Sequence, residues 1–134
     1  MPQMIFVNLP VSDVARAKAF YEGIGFTINP QFSDEKANCV VISDSIFLMT
    51  LHRDYFATFT AKPVGNPGAE TSVLLALSQD DRAAVDSIVT RALAAGGSEP
   101  RPAQDHGFMY QRCFADPDGH VFEPFWMDPG AVQG

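Results

Sequence analysis

Phe114-Ala115-Asp116-Pro117-Asp118-Gly119-His120-Val121-Phe122-Glu123-Pro124-Phe125 reads as a strand, a tight turn and a second strand. Pro117 presets the dihedral wanted at the first corner of a β-turn, Asp118 is tolerated at the second, and Gly119 takes a positive φ without a Cβ clash. Beyond the turn, alternation puts Val121, Glu123 and Phe125 on one face and Phe122, Pro124 and Trp126 on the other. A carboxylate between two apolar neighbours is costly to bury unless it is paired, hydrogen-bonded or bound to a metal. Glu123 therefore stands either at a wet edge of the sheet or in a site.

The rest of the chain repeats one pattern twice. Residues 4–11 are apolar and extended. Ser12 then suits an N-cap, and Val14, Ala17, Phe20, Tyr21 and Ile24 recur at helical spacing until Gly23 and Gly25. Strands are expected over 26–32, 37–43 and 46–51, then a short helix or lid over 52–59 and a Pro- and Gly-rich linker over 63–70. In the second half a strand over 71–77 leads to Ser78 and Asp81 in a capping-box pattern. Val85, Ile88, Val89 and Ala92 form the next helical stripe, closed by Gly96-Gly97. A short extended piece over 98–101, a loop through His106, a strand over 108–114 and the hairpin strand complete it. The fold class expected is α+β, a degenerate tandem of two βαβββ modules, one over about 1–60 and the other over about 70–128.

Composition limits the partners. The chain has 134 residues, 46% of them hydrophobic and 19% charged, enough for a substantial core. Its net charge is -7 and its nine Lys and Arg residues are scattered, which argues against a nucleic-acid backbone or an anionic membrane surface. A small molecule or another protein fits better. Cys39 and Cys113 lack the short spacing of zinc or redox pairs and read as buried free thiols. With no charged leader and no long apolar run, a cytoplasmic location is expected.

Two motifs carry a resemblance. Asp116-Pro117-Asp118-Gly119 with Glu123 four residues on is similar to the terminal hairpin of the glyoxalase/bleomycin-resistance/extradiol-dioxygenase (vicinal oxygen chelate) superfamily. The segment Asn8-Leu9-Pro10-Val11-Ser12-Asp13, leading through Phe20-Tyr21 to Gly23-Ile24-Gly25-Phe26, resembles the opening strand and helix of the same superfamily. The wording of residues 4–11 and 104–110 looks closest to a bacterial branch described as predicted lactoylglutathione lyases. The resemblance implies one domain over 1–134 whose sheets curl around a cup-shaped cavity.

In metal-dependent members four inward side chains hold a divalent ion that stabilises negative charge on the substrate, while a carboxylate moves a proton. Carried over here, those positions fall on Phe6, Met49, Ser72 and Glu123. Phenyl and thioether groups are not ligands for such an ion, and one carboxylate does not hold it tightly. No cofactor is therefore expected, and a divalent metal only if a site is rebuilt around Glu123 with a histidine such as His106.

The implied cup lining is Phe6, Asn8, Phe47, Met49, Ser72 and Phe125 as substrate-binding residues, with Glu123 as the catalytic general base. Three functions follow. One is a glyoxalase-like lyase or isomerase acting on a small oxygenated molecule, with Asn8 or Arg112 as substitute oxyanion donor. Another is a non-catalytic drug-binding protein of the bleomycin-resistance type, suited to a flat cationic ligand. The third, a ring-cleaving dioxygenase, needs two His and a carboxylate on iron and is opposed by Phe6 and Ser72. A homodimer is expected from the aromatic and Met content near the last strand.

Overall fold

A computed structural model describes residues 3–132, and the chain divides into two units, Met1–Asn66 and Pro67–Gly134. The fold is α+β, with a βαβββ module in each unit. In the first, β1 (Ile5–Val11) and α1 (Val14–Gly23) precede β2 (Thr27–Ile28), β3 (Ala37–Val41) and β4 (Ile46–His52). The sheet is mixed and open, ordered β1-β4-β3-β2, with β1 parallel to β4. Leu9, Val11, Leu48, Thr50 and Val40 are buried on the side where Ala17, Phe20 and Tyr21 of α1 pack. Asn38, also buried there, donates to the Val14 carbonyl at 2.8 Å and to Thr50 Oγ1 at 2.9 Å, so its amide is satisfied.

Local chemistry sets several boundaries away from those expected. Asp13, not Ser12, caps α1, accepting from the Arg16 N–H at 3.0 Å, because a carboxylate next to the helix also meets the positive end of its dipole. The strand expected over 26–32 ends at Ile28. Asn29 then caps a 3-10 turn, Pro30–Phe32, since Pro30 has no N–H for a ladder. After β4 come α2 (Arg53–Phe56) and a 3-10 turn, Ala57–Phe59, matching the short helix expected there.

The second unit runs β5 (Leu74–Ser78), α3 (Arg82–Ala94), β6 (Gln104–Asp105), β7 (Met109–Gln111), β8 (Phe114–Ala115), β9 (Val121–Met127) and α4 (Pro129–Val132). Its mixed, open sheet is ordered β5-β9-β7-β6, with β8 also on β9 and β5 parallel to it. Asp81 caps α3, accepting from the Ala84 N–H at 2.8 Å, whereas Ser78 ends β5.

Register across β9 shows why one expected strand over 108–114 appears as two. Gln111 pairs Phe125 and Phe114 pairs Phe122, so the intervening Arg112 and Cys113 lie opposite Pro124 and Glu123 without any slip. Arg112 donates its N–H to the Pro124 carbonyl at 3.1 Å, but proline has no N–H to return, and the ladder is interrupted there. The hairpin turn is as the sequence requires. Asp116 Oδ1 accepts from the N–H groups of Asp118, Gly119 and His120 at 2.9–3.0 Å, and Gly119 has φ +105°.

Candidate functional site

Alternation on β9 divides the second sheet cleanly. Phe122, Pro124 and the stacked pair Phe114–Phe122, 5.0 Å between ring centroids, sit on the side that α3 covers. The other side carries Leu74, Ala76 and Ser78 of β5, Val121, Glu123 and Phe125 of β9, and Gln111. Leu74 is 52% exposed and Val121 and Phe125 are half-buried, so an apolar surface with few polar groups faces outward.

Glu123 on that face is paired. Its Oε2 accepts from Arg101 Nη2 at 2.6 Å, with the Glu123 side chain 12% exposed and that of Arg101 48%. Arg101 gets there because the edge of the sheet bulges. Ser98 bridges Ala115 and Gln104 pairs Gln111, so the edge chain spends five residues, 99–103, where its neighbour spends three, 112–114. Pro100 and Pro102 suit this departure because neither can donate to a ladder. Cys113, opposite Glu123, fastens the bulge: its Sγ accepts from the Arg101 N–H at 3.3 Å and lies 3.6 Å from the Arg101 carbonyl. Cys113 is thereby buried, and the guanidinium lands beside the residue across from it.

The α3 side holds a separate polar network. Arg112 grips Glu99 with two bonds of 2.9 and 2.8 Å and Asp86 with one of 2.9 Å, while the Tyr110 hydroxyl donates to Asp86 at 2.6 Å. The Tyr110 hydroxyl, and then Arg112, hold the Asp86 carboxyl below the usual range, and these carboxylates push Arg112 up. Arg112, expected from the sequence along with Asn8 as a substitute oxyanion donor working beside Glu123, is therefore on the opposite face of the sheet and held by Glu99 and Asp86. A shallow cavity of about 370 Å³ opens between the bulge and Tyr110 and Arg112. Tyr110 and Arg112 are turned to protein partners there, and Glu123 is not in its lining.

Farther along, Arg82 forks onto Asp105 at 2.8 and 2.9 Å, and its guanidinium lies 5.2 Å from the ring centres of both Tyr110 and Trp126. Arg82, helped by the Gly107 N–H, holds Asp105 at about 2. A carboxyl depressed in the folded state contributes stability above its unfolded pKa near 4 and loses it as pH falls toward about 2. Wild type should therefore lose melting temperature between pH 4 and pH 2 more steeply than Arg82→Gln. Parallel curves from a thermal scan series would count against this linkage.

In the first unit the residues expected to bind substrate share one face of β1 and β4. Phe6 pairs Phe47 and Asn8 pairs Met49, and the two phenyl rings stack at 4.5 Å with planes 10° apart. Asn8 donates to the Phe6 carbonyl at 3.3 Å. The strand expected over 71–77 begins only at Leu74, so Ser72 is exposed and precedes β5. The repeat itself indicates Leu74. Phe6 lies seven residues before the cap Asp13 and pairs Phe47 of β4, and Leu74 lies seven before the cap Asp81 and pairs Val121 of β9.

Phe6 and Met49 of the first unit carry no group that ligates a divalent ion, and in the second unit neither does Leu74, while Glu123 is paired to an arginine. Among the described residues no three His, Cys, Asp or Glu side chains gather as a rebuilt site would require. His52 caps α2, its Nδ1 accepting from the Asp54 N–H at 3.1 Å, and the His106 ring lies 6.2 Å from that of Phe108.

Known proteins share this architecture. The family model for the bleomycin resistance protein-like N-terminal region matches residues 3–43. A glyoxalase-related enzyme from Fulvimarina pelagi is similar at 25% identity over 94% of this chain and 88% of its own, with a TM-score of 0.78. The fold is that of glyoxalase/bleomycin-resistance/dioxygenase proteins. Two further superfamily structures share the fold. One, a family enzyme from Burkholderia phytofirmans PsJN, has 21% identity over 94% and 99% of the two chains and a TM-score of 0.76. The other, a bleomycin resistance determinant encoded on transposon Tn5, has 20% identity over 95% and 99% and a TM-score of 0.65. No curated protein matches the sequence. Among the described residues no helix is long and apolar enough to cross a membrane.

Proposed function

We propose that this protein binds a small oxygenated molecule on the sheet face that carries Glu123, and acts on it without a metal as a glyoxalase-like lyase or isomerase. The observation that carries this is a carboxylate, nearly buried and paired to one arginine, set among half-exposed Val121, Phe125 and Leu74. Glu123 is its proton acceptor. Arg101 stands where it stabilises negative charge appearing beside that carboxylate. Phe125 supplies ligand contacts in this reading, and Leu74 takes the place of Ser72 beside it.

Purified protein should contain well under one Ni, Zn, Fe or Mn per chain, and a chelator should leave its melting temperature unchanged. Offered the hemithioacetal of methylglyoxal and glutathione, it should form the thioester. Glu123→Gln should cut turnover by about 100-fold while the far-ultraviolet spectrum stays the same. Turnover that requires added metal, or full activity in Glu123→Gln, would sink the reading. The match to the bleomycin resistance protein-like region favours a second one, in which the same face sequesters a ligand unchanged. Saturable binding with no turnover selects it. In both readings the protein is a cytoplasmic homodimer, and sedimentation at micromolar concentration reads its assembly directly.

A further inference from the structure

The Arg101 side chain engages a single partner among the described residues, through the bond from Nη2 to Glu123 Oε2. A guanidinium presents five N–H donors arranged as two forks, each able to hold both oxygens of a carboxylate. One Nη2 proton given to Glu123 belongs to only one fork, so the other is complete. The exposures point the same way: with Arg101 at 48% and Glu123 at 12%, the arginine is the part of the pair that solvent reaches. Neighbouring arginines are spent, Arg112 on Glu99 and Asp86, and Arg82 on Asp105 and the Gly107 carbonyl.

The Arg101 backbone is already held by the Cys113 thiol and bracketed by Pro100 and Pro102, so little ordering is left for a ligand to impose. A cationic ligand gains little here, because the charge of Glu123 is already balanced by Arg101. An anion of planar shape meets an unfilled fork, and the carboxylate that Arg101 is paired with is flanked on its face by apolar Val121 and Phe125.

We propose that Arg101 is a carboxylate-binding residue: its unused guanidinium fork takes the carboxylate of a small ligand whose apolar part lies on the Glu123 face. This rests on that face being the ligand site, and it replaces the flat cation expected from net charge with an anion. Cys113 acts through Arg101 as a positioning residue.

Benzoate, benzamide and benzylammonium serve as probes of similar size and different charge, followed by nuclear magnetic resonance of the full chain. Benzoate should shift the Arg101 Nε–H and the Val121 and Phe125 signals saturably, and bind at least tenfold more tightly than benzamide. Arg101→Gln should weaken benzoate at least tenfold and leave benzamide unchanged. Arg101→Lys, which keeps charge but not the fork, should fall between. Glu123→Gln should tighten benzoate severalfold by removing the competing carboxylate. Cys113→Ala should weaken benzoate with the arginine still present. Equal binding of benzoate and benzamide at Phe125, preference for benzylammonium, or unchanged benzoate affinity in both Arg101 variants overturns this assignment alone. Should none of the three probes shift Val121 or Phe125, the small-molecule reading of the face falls with it.

Discussion

Gly119→Ala should lower the unfolding free energy by about 2–4 kcal/mol. Two independent causes act at this residue. Its φ of +105° is one that a residue with a Cβ adopts only under strain. A Cβ there would also lie 2.5 Å from the Pro67 carbonyl oxygen, 2.8 Å from its carbon and 2.9 Å from the Gly68 Cα, all backbone atoms with no side-chain freedom to yield. The strain falls on the turn joining β8 to β9, so pairing of the strand that carries Glu123 should loosen too. Urea unfolding checks the magnitude. By contrast, Gly96 has φ +103° and open space around it, so Gly96→Ala should cost clearly less. Equal losses at the two positions would show that the contact with Pro67 does not matter.

Arg112→Ala should cost about 2–3 kcal/mol near neutral pH, because it removes three charge-assisted bonds at once and leaves two carboxylates without their cation. Arg112 is 19% exposed and Glu99 24%, whereas Asp86 is 51% exposed and is rescued in part by water, which holds the figure below that of a fully buried pair. The loss should shrink on acidification. Asp86 is depressed in the folded protein, first by the Tyr110 hydroxyl and then by Arg112, so what the pair contributes is present above a pH of about 4 and fades below it. Arg112→Met, which restores volume without charge, should recover less than half of the loss. Denaturant midpoints at pH 7 and pH 3 for the three proteins decide the matter, and full recovery by Met would assign the role to packing.

Part of the candidate site is legible in the amino-acid sequence. The turn chemistry of Asp116-Pro117-Asp118-Gly119 places a hairpin, and alternation beyond it puts Glu123 between Val121 and Phe125 on one face. Counting five residues each way from Asp118 also sets Cys113 opposite Glu123, a signal available from the turn alone. Arg101 is different. Its sequence context offers only an extended piece between two prolines, and nothing local states how far the edge chain bulges before it rejoins the sheet at Gln104. Arg112 misleads for a related reason: it lies close to the turn and so reads as a neighbour of Glu123, yet odd and even positions on a strand serve opposite faces.

The sequence by itself determined the elements and their order: two helices with apolar stripes, strands that alternate, a turn that glycine completes. From these come the tandem modules and the shared face of Phe6 with Asn8, since alternation along a strand is a local property. Tertiary structure alone decided that Glu123 is paired and with what, that Ser72 lies before its strand, and that Arg112 belongs to the helix side. Each of these depends on register between strands far apart in the chain, set by which faces are buried together and by where a proline interrupts a ladder. Local sequence carries no count of those offsets. The arginine paired with Glu123 reaches it because the edge chain spends two more residues than the strand beside it, and that excess exists only in the folded sheet.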